Sequence, residues 1–196
     1  MSSDARWHHI ALIAVALAPA ALSGQRLAYV GGGVGVLSPA GSFGSVDHTG
    51  WQLSAQAVAG LRGPLALSID ALVGRTGHKN GVAGGSTLGG ATAEAALLVA
   101  GEAARVRPFV SLGAGAYRVA VTVSGYGSAV ATKLAFGGGG GLLVGSGGRR
   151  EYLMVHYVSV RTTPQRTNLF AIGLGVMAPL GRRSAARLAI LPPPGR

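Results

Sequence analysis

Apolar residues recur at every second position along most of the chain. In GWQLSAQAVAGL, Trp51, Leu53, Ala55, Ala57, Ala59 and Leu61 share one parity, and Gln52, Ser54, Gln56 and Gly60 share the other. In PLALSIDALVG, Leu65, Leu67, Ile69, Ala71 and Val73 oppose Ser68 and Asp70; in ATAEAALLV, Ala91, Ala93, Ala95, Leu97 and Val99 oppose Thr92 and Glu94. RPFVSLGAGAYR and LFAIGLGVMAPL repeat the pattern, with Val110 and Leu112 opposite Ser111 and Gly113, and Ile172 and Leu174 opposite Gly173 and Gly175. A period of two marks strands with two unlike faces.

The second face decides the class. It carries small or polar residues, and charges are nearly absent from segment centres on either face. A soluble sandwich would cover its outer face with Lys, Glu and Thr. Segments of about ten residues with an apolar and a small-or-polar face are the pattern of transmembrane β-barrels, because only closed barrels and helices satisfy their backbone in lipid. About eight segments fit, the smallest common barrel: 26–37, 50–61, 64–74, 89–100, 107–118, 133–144, 151–160 and 168–179. Connections after odd segments are long (38–49, 75–88, 119–132 and 161–167), and those after even segments are short (62–63, 101–106 and 145–150). Long extracellular loops alternating with short turns place the N-terminus in the periplasm. The expected fold is therefore all-β, an antiparallel up-and-down transmembrane barrel. A soluble lipocalin-like barrel would have similar strands, with its apolar face turned inward around a ligand.

The run KLAFGGGGGLLVG, with five glycines from Gly137 to Gly141, tests this reading. A phosphate loop would continue with Lys-Ser/Thr and a helix; Leu142-Leu143-Val144 follow instead. Leu134 and Phe136 share parity with Leu142 and Val144, so one strand is expected to pass straight through the run. Glycine weakens a strand, and bulky neighbours, Tyr117 or Tyr152, are expected to cover the bare backbone.

Composition adds a location. Residues 10–23 are the one continuous apolar block, too short for a comfortable span. They follow Arg6, His8 and His9 and end in small residues beside Gly24, the layout of a signal peptide over 1–24, with a single N-terminal anchor helix as the alternative. The barrel then occupies 25–180 and a basic, Pro-ending tail 181–196. No Cys is present, so neither disulfides nor thiolate ligands are available. The formal net charge is +11, and an exported chain directs that excess to lipid phosphates rather than nucleic acid. Arg26, Arg62, Arg105, Arg107, Arg149, Arg150, Arg182, Arg183 and Arg187 all fall on the expected periplasmic side, where they either meet lipid headgroups or are solvated turn charges.

The succession RPFVSLGAGAYRV, KLAFGGGGGLLV, RREYLMVHYVSV and NLFAIGLGVMAPLG resembles the second half of the OmpA-like, or opacity-protein-like, outer-membrane β-barrel family. The resemblance spans roughly 26–180 and implies an eight-stranded barrel in a Gram-negative-type outer membrane. Members often end their last strand on an aromatic residue; here it runs into Ala178-Pro179-Leu180. The tail is too short for a peptidoglycan-binding domain.

Candidate chemistry lies on the lumen face. Asp70, Glu94 and His156 share it by parity, and Arg118 and Lys133 flank the third loop within inward reach. Buried charges must be paired, so these five residues form a candidate polar network that fixes register, or else a proton or ion path. His156 and Ser159 have opposite parity and no carboxylate is placed to orient the histidine, so no acyl-transfer triad is expected. His48 and His78 lack metal-ligand spacing. The expected protein is a monomeric outer-membrane barrel with a structural or surface-interacting role, a lumen too full for solute flow, and no catalytic, cofactor or metal site. Its partners are outer-membrane lipid and an extracellular ligand of loops 38–49, 75–88 and 119–132. The alternatives are a lipid-modifying enzyme on the same scaffold and a soluble exported barrel binding a small apolar ligand.

Overall fold

The computed structural model describes residues 26–61, 63–101, 103–145, 148–162 and 166–180. The expected signal peptide and C-terminal tail lie outside the described residues. Eight antiparallel strands follow in chain order: β1 (Arg26–Ala40), β2 (Gly50–Gly60), β3 (Leu65–Gly77), β4 (Gly84–Leu98), β5 (Val106–Val123), β6 (Gly127–Val144), β7 (Arg150–Val160) and β8 (Thr167–Leu180). Each pairs with its sequence neighbours, and β1 pairs with β8 from Ala28↔Leu180 to Ala40↔Asn168, which closes the barrel. A closed sheet has no free edge along its shared length. A short helix, α1 (Gly41–Val46), follows β1 and turns Phe43 into the lumen. No helix among the described residues is long and apolar enough to cross a membrane.

The alternation determines which side faces out. Val34, Leu53, Leu67, Leu112, Leu134, Leu153 and Leu174 are exposed on the outer wall, and large exposed apolar residues occur on all eight strands. A soluble monomer rarely shows an apolar patch beyond about 300–600 Å², whereas this belt circles the molecule. A lipocalin-like arrangement needs the opposite polarity, so the soluble alternative conflicts with the wall. Inward positions carry Gln52, Gln56, Ser68, Asp70, Thr92, Glu94 and His156, all buried.

The strands are longer than the alternation suggested at one end. Residues 75–77 and 84–88 continue β3 and β4, and the expected loop 119–132 is a continuation of β5 and β6 around a turn at Ser124–Tyr126. The reason is that β-branched and small residues sustain a ladder beyond the apolar belt without needing an apolar face. In that extension β6 pairs with β5 as far as Val123↔Gly127, but its ladder with β7 stops at Ala135↔Val160. The loops at this end remain longer than the β2–β3 turn opposite.

The glycine run is strand throughout, pairing from Gly137↔Gly113 to Gly141↔Phe109 on one side and from Gly137↔Val158 to Gly141↔Met154 on the other. The covering side chains differ from those expected. A Cβ on Gly137 would lie 3.0 Å from His156 Nε2, and one on Gly141 would lie 3.0 Å from Phe109 Cε1. Tyr152 instead lies over Gly33 and Gly175, and Tyr117 over Gly90. Tyrosine reaches these positions because they are bare inward glycines on β1, β8 and β4, nearer to its ring than β6.

Candidate functional site

The lumen divides into two unlike halves. Toward the long-loop end, Leu37, Leu72, Leu88, Tyr117, Val119, Val158, Val160 and Leu169 form one buried apolar cluster with Phe43 of α1. Large inward side chains from six strands fill an eight-stranded interior, which is just wide enough to be filled. Toward the short-turn end small inward residues such as Ala66, Ser68, Ala96 and Ser111 are mixed with large ones, and a cavity of about 230 Å³ remains, lined by Gln56, Ser68, Asp70, Phe109 and Met154 among others. The lumen is thus plugged in one half and open in the other, rather than full along its length.

Between the halves lies the acid–base cluster. His156 Nε2 is 2.6 Å from Glu94 Oε1, and both side chains are buried. Thr92 Oγ1 donates to the same carboxylate oxygen at 2.8 Å, and Ser68 Oγ donates to Asp70 Oδ2 at 2.9 Å. Register explains the meeting. Glu94 is opposite Gly113, Gly113 opposite Gly137, and Gly139 opposite His156. Two residues without side chains therefore lie between acid and imidazole, leaving the lumen clear for them to touch. The glycines of β5 and β6 are the space in which the pair forms.

Of the five candidate network residues, Asp70, Glu94 and His156 come together here. Arg118 alternates with the buried Tyr117 and Val119 and so belongs to the outer wall. Lys133 keeps lumen parity with Ala135 but is exposed at the long-loop rim, beyond the apolar plug. The sequence reading also placed no carboxylate against His156, whereas Glu94 is in contact with it. The cause is the register across three strands, which parity within single segments does not reveal. His156 and Ser159 do face opposite sides, and Ser159 Oγ donates to Asn168 Oδ1 at 2.8 Å. Among the described residues no group of three His, Cys, Asp or Glu is arranged to hold a metal ion.

Two further sets of residues were missed. Arg107 and Arg150 are buried at the short-turn mouth of the lumen rather than displayed to headgroups. The Arg107 Nε donates to the Ala100 carbonyl at 2.9 Å, and the Arg150 guanidinium lies 5.9 Å from the Tyr29 ring centre. Their parity with Ser111 and with Met154 was the available signal. Arg105 and Arg149 are exposed in the turns, as the solvated reading expected. At the opposite end Asp47, buried after α1, accepts from Thr76 Oγ1 at 2.5 Å and lies 2.6 Å from His78 Nδ1. His78 Nε2 is 3.1 Å from the Thr122 carbonyl oxygen. Both ring nitrogens face oxygen atoms. This latch ties α1 to the ends of β3 and β5.

No family model matches the sequence, and no curated relative does. Solved structures do match the fold. Neisserial surface protein A (NspA) superposes with a TM-score of 0.62 at 15% identity, over 77% of this chain and 96% of that one. The outer membrane protein OprG from Pseudomonas aeruginosa gives 0.58 at 10% identity, over 81% and 98%. Ail, the attachment invasion locus protein of Yersinia pestis, gives 0.54 at 14% identity, over 78% and 99%. The chain therefore has the closed, eight-stranded, up-and-down barrel fold of these outer-membrane proteins.

Proposed function

We propose that this protein resides in a bacterial outer membrane, N-terminus periplasmic, and works there as a structural or surface-interacting barrel without solute conduction or catalysis. The observation that carries this reading is the apolar plug beneath α1. It joins residues of β1, β3, β4, β5, β6, β7 and β8 across the lumen, and the Asp47–His78 latch holds α1 over it. A layer so largely apolar opposes the passage of water and polar solutes. The apolar belt supports the membrane assignment, and the likeness to outer-membrane barrels agrees with it.

The long-loop end supports the surface role. Among the described residues it carries Arg75, Lys79, Lys133, Arg161 and Arg166, against Asp47, which is buried and engaged with Thr76 and His78. An end of that sign favours an anionic partner on the cell exterior. Ail of the same fold has been solved in complex with the heparin analogue sucrose octasulfate, which agrees with a polyanion as the partner class. Binding of intact cells to a sulfated polysaccharide should fall when Lys133 and Arg161 are changed to Glu, and should weaken as salt rises. Equal binding by the variant would overturn the partner class. Insertion into a planar bilayer without conductance steps is the expected result for the closed lumen, and steady steps would overturn it.

The enzymatic alternative rests on the Glu94–His156 pair. That pair is enclosed in the lumen, and among the described residues the one side-chain hydrogen bond of His156 is with Glu94, with no nucleophile held against it. Acyl chains outside the wall do not reach it. An activity on acylated lipid that His156→Gln abolishes would reverse this judgement.

A further inference from the structure

The open half of the lumen has a cause in the sequence. Ala66 and Ser68 of β3, Ala96 of β4 and Ser111 of β5 line the cavity at positions where larger side chains would fill the interior. What they leave is the cavity of about 230 Å³, blind toward the apolar plug and reached from the short-turn end. Its chemistry changes with depth. Arg107 and Arg150 put two guanidinium charges at the mouth. Val58, Leu98, Phe109, Leu143 and Met154 make an apolar shaft. Gln56, Ser68 and Asp70 form a polar floor. Asp70 lies five residues along β3 from Leu65 at the rim, roughly 16 Å of extended strand.

Charge distinguishes the floor from an ordinary polar patch. Asp70 is buried at the floor, while Glu94 and the one imidazole, His156, are buried outside the cavity lining and engaged with each other. Neither Arg118, on the outer wall, nor Lys133, beyond the plug, reaches the floor. A buried negative charge without a matching cation is costly. A ligand bringing a positive group to Asp70 supplies that cation, and the guanidiniums at the mouth suit an anionic group at its other end.

We propose that this cavity is a binding site for a slender bipolar molecule: a carboxylate or phosphate end at Arg107 and Arg150, an apolar chain along the shaft, and an ammonium end at Asp70. The site is separate from the loop surface at the opposite end of the barrel.

Calorimetric titration of the purified barrel in zwitterionic micelles at neutral pH tests it, with ω-aminooctanoate, octanoate and octylamine as probes. ω-Aminooctanoate should bind, and each one-ended probe should bind about tenfold more weakly, the loss of one charge-assisted contact. Asp70→Asn should erase the preference for ω-aminooctanoate over octanoate. Ala66→Leu places a larger side chain in the shaft and should abolish saturable binding of all three probes, while the heat-dependent gel mobility of the folded barrel persists. Because Ala66→Leu shares the micelle, it also gives the heat of probe partitioning into detergent. Octanoate binding as tightly as ω-aminooctanoate, binding that survives Ala66→Leu, or no saturable binding to the unaltered barrel would each overturn the proposal. Should Asp70→Asn fail to fold, the probe series and Ala66→Leu decide the matter.

Discussion

Glu94 and His156 are 62 residues apart in sequence and 2.6 Å apart in space, enclosed where each alone would be an uncompensated polar group. Glu94→Ala should therefore lower the unfolding free energy in detergent by about 3–5 kcal/mol, the usual cost of breaking a buried pair from one side. In the Glu94→Ala background, His156→Ala should add little, because the partner is already lost. An unchanged urea midpoint for Glu94→Ala would remove the pair from the account of stability. The glycines around it make a sharper test. A Cβ on Gly137 would be 3.0 Å from His156 Nε2 and 3.1 Å from Glu94 Oε1, so Gly137→Val should push the pair apart and destabilise. Gly32→Ala, on the outer wall with only the Ser54 carbonyl oxygen near at 3.3 Å, should be close to neutral. Equal losses at the two positions would show that glycine matters here only through backbone freedom.

At the scale of the strand, two rules explain why the architecture was readable and its ends were not. Side-chain alternation is local, so Leu65, Leu67 and Val73 against Ser68 and Asp70 identify β3 without any knowledge of its partners. Strand length is not local beyond the belt: Val119 to Val123 and Ser128 to Thr132 form a ladder with each other, and neither segment carries a lipid-facing pattern. The contact of Glu94 with His156 depends on three consecutive pairings, each set by a hairpin whose register no single segment encodes. Parity did suffice to place Arg107 and Arg150 inside, since they fall in phase with Ser111 and Met154; their basic character suggested headgroups instead. The topology makes a direct prediction. The chain has no cysteine, so Tyr126→Cys at the β5–β6 turn and Ala103→Cys at the β4–β5 turn report on opposite ends. In intact cells a membrane-impermeant maleimide should label Tyr126→Cys and leave Ala103→Cys unlabelled until the envelope is opened. The reverse pattern would invert the barrel.

For the whole molecule, the polarity of the wall separates a membrane barrel from a soluble one, and every functional statement depends on it. The outer wall is apolar on all eight strands, the interior is polar at its centre and plugged on one side, and the strands close without an edge. Trp51 gives a direct probe of that wall: it is about half exposed on the outer face of β2, and Trp7, outside the described residues, is the other tryptophan of the chain. With Trp7 replaced by Phe, the barrel folded into vesicles of phosphatidylcholine brominated along its acyl chains should show strong quenching of Trp51 fluorescence relative to unbrominated vesicles. Fluorescence unchanged by bromination, from a correctly closed barrel, would mean that the apolar wall does not meet lipid and would contradict the account.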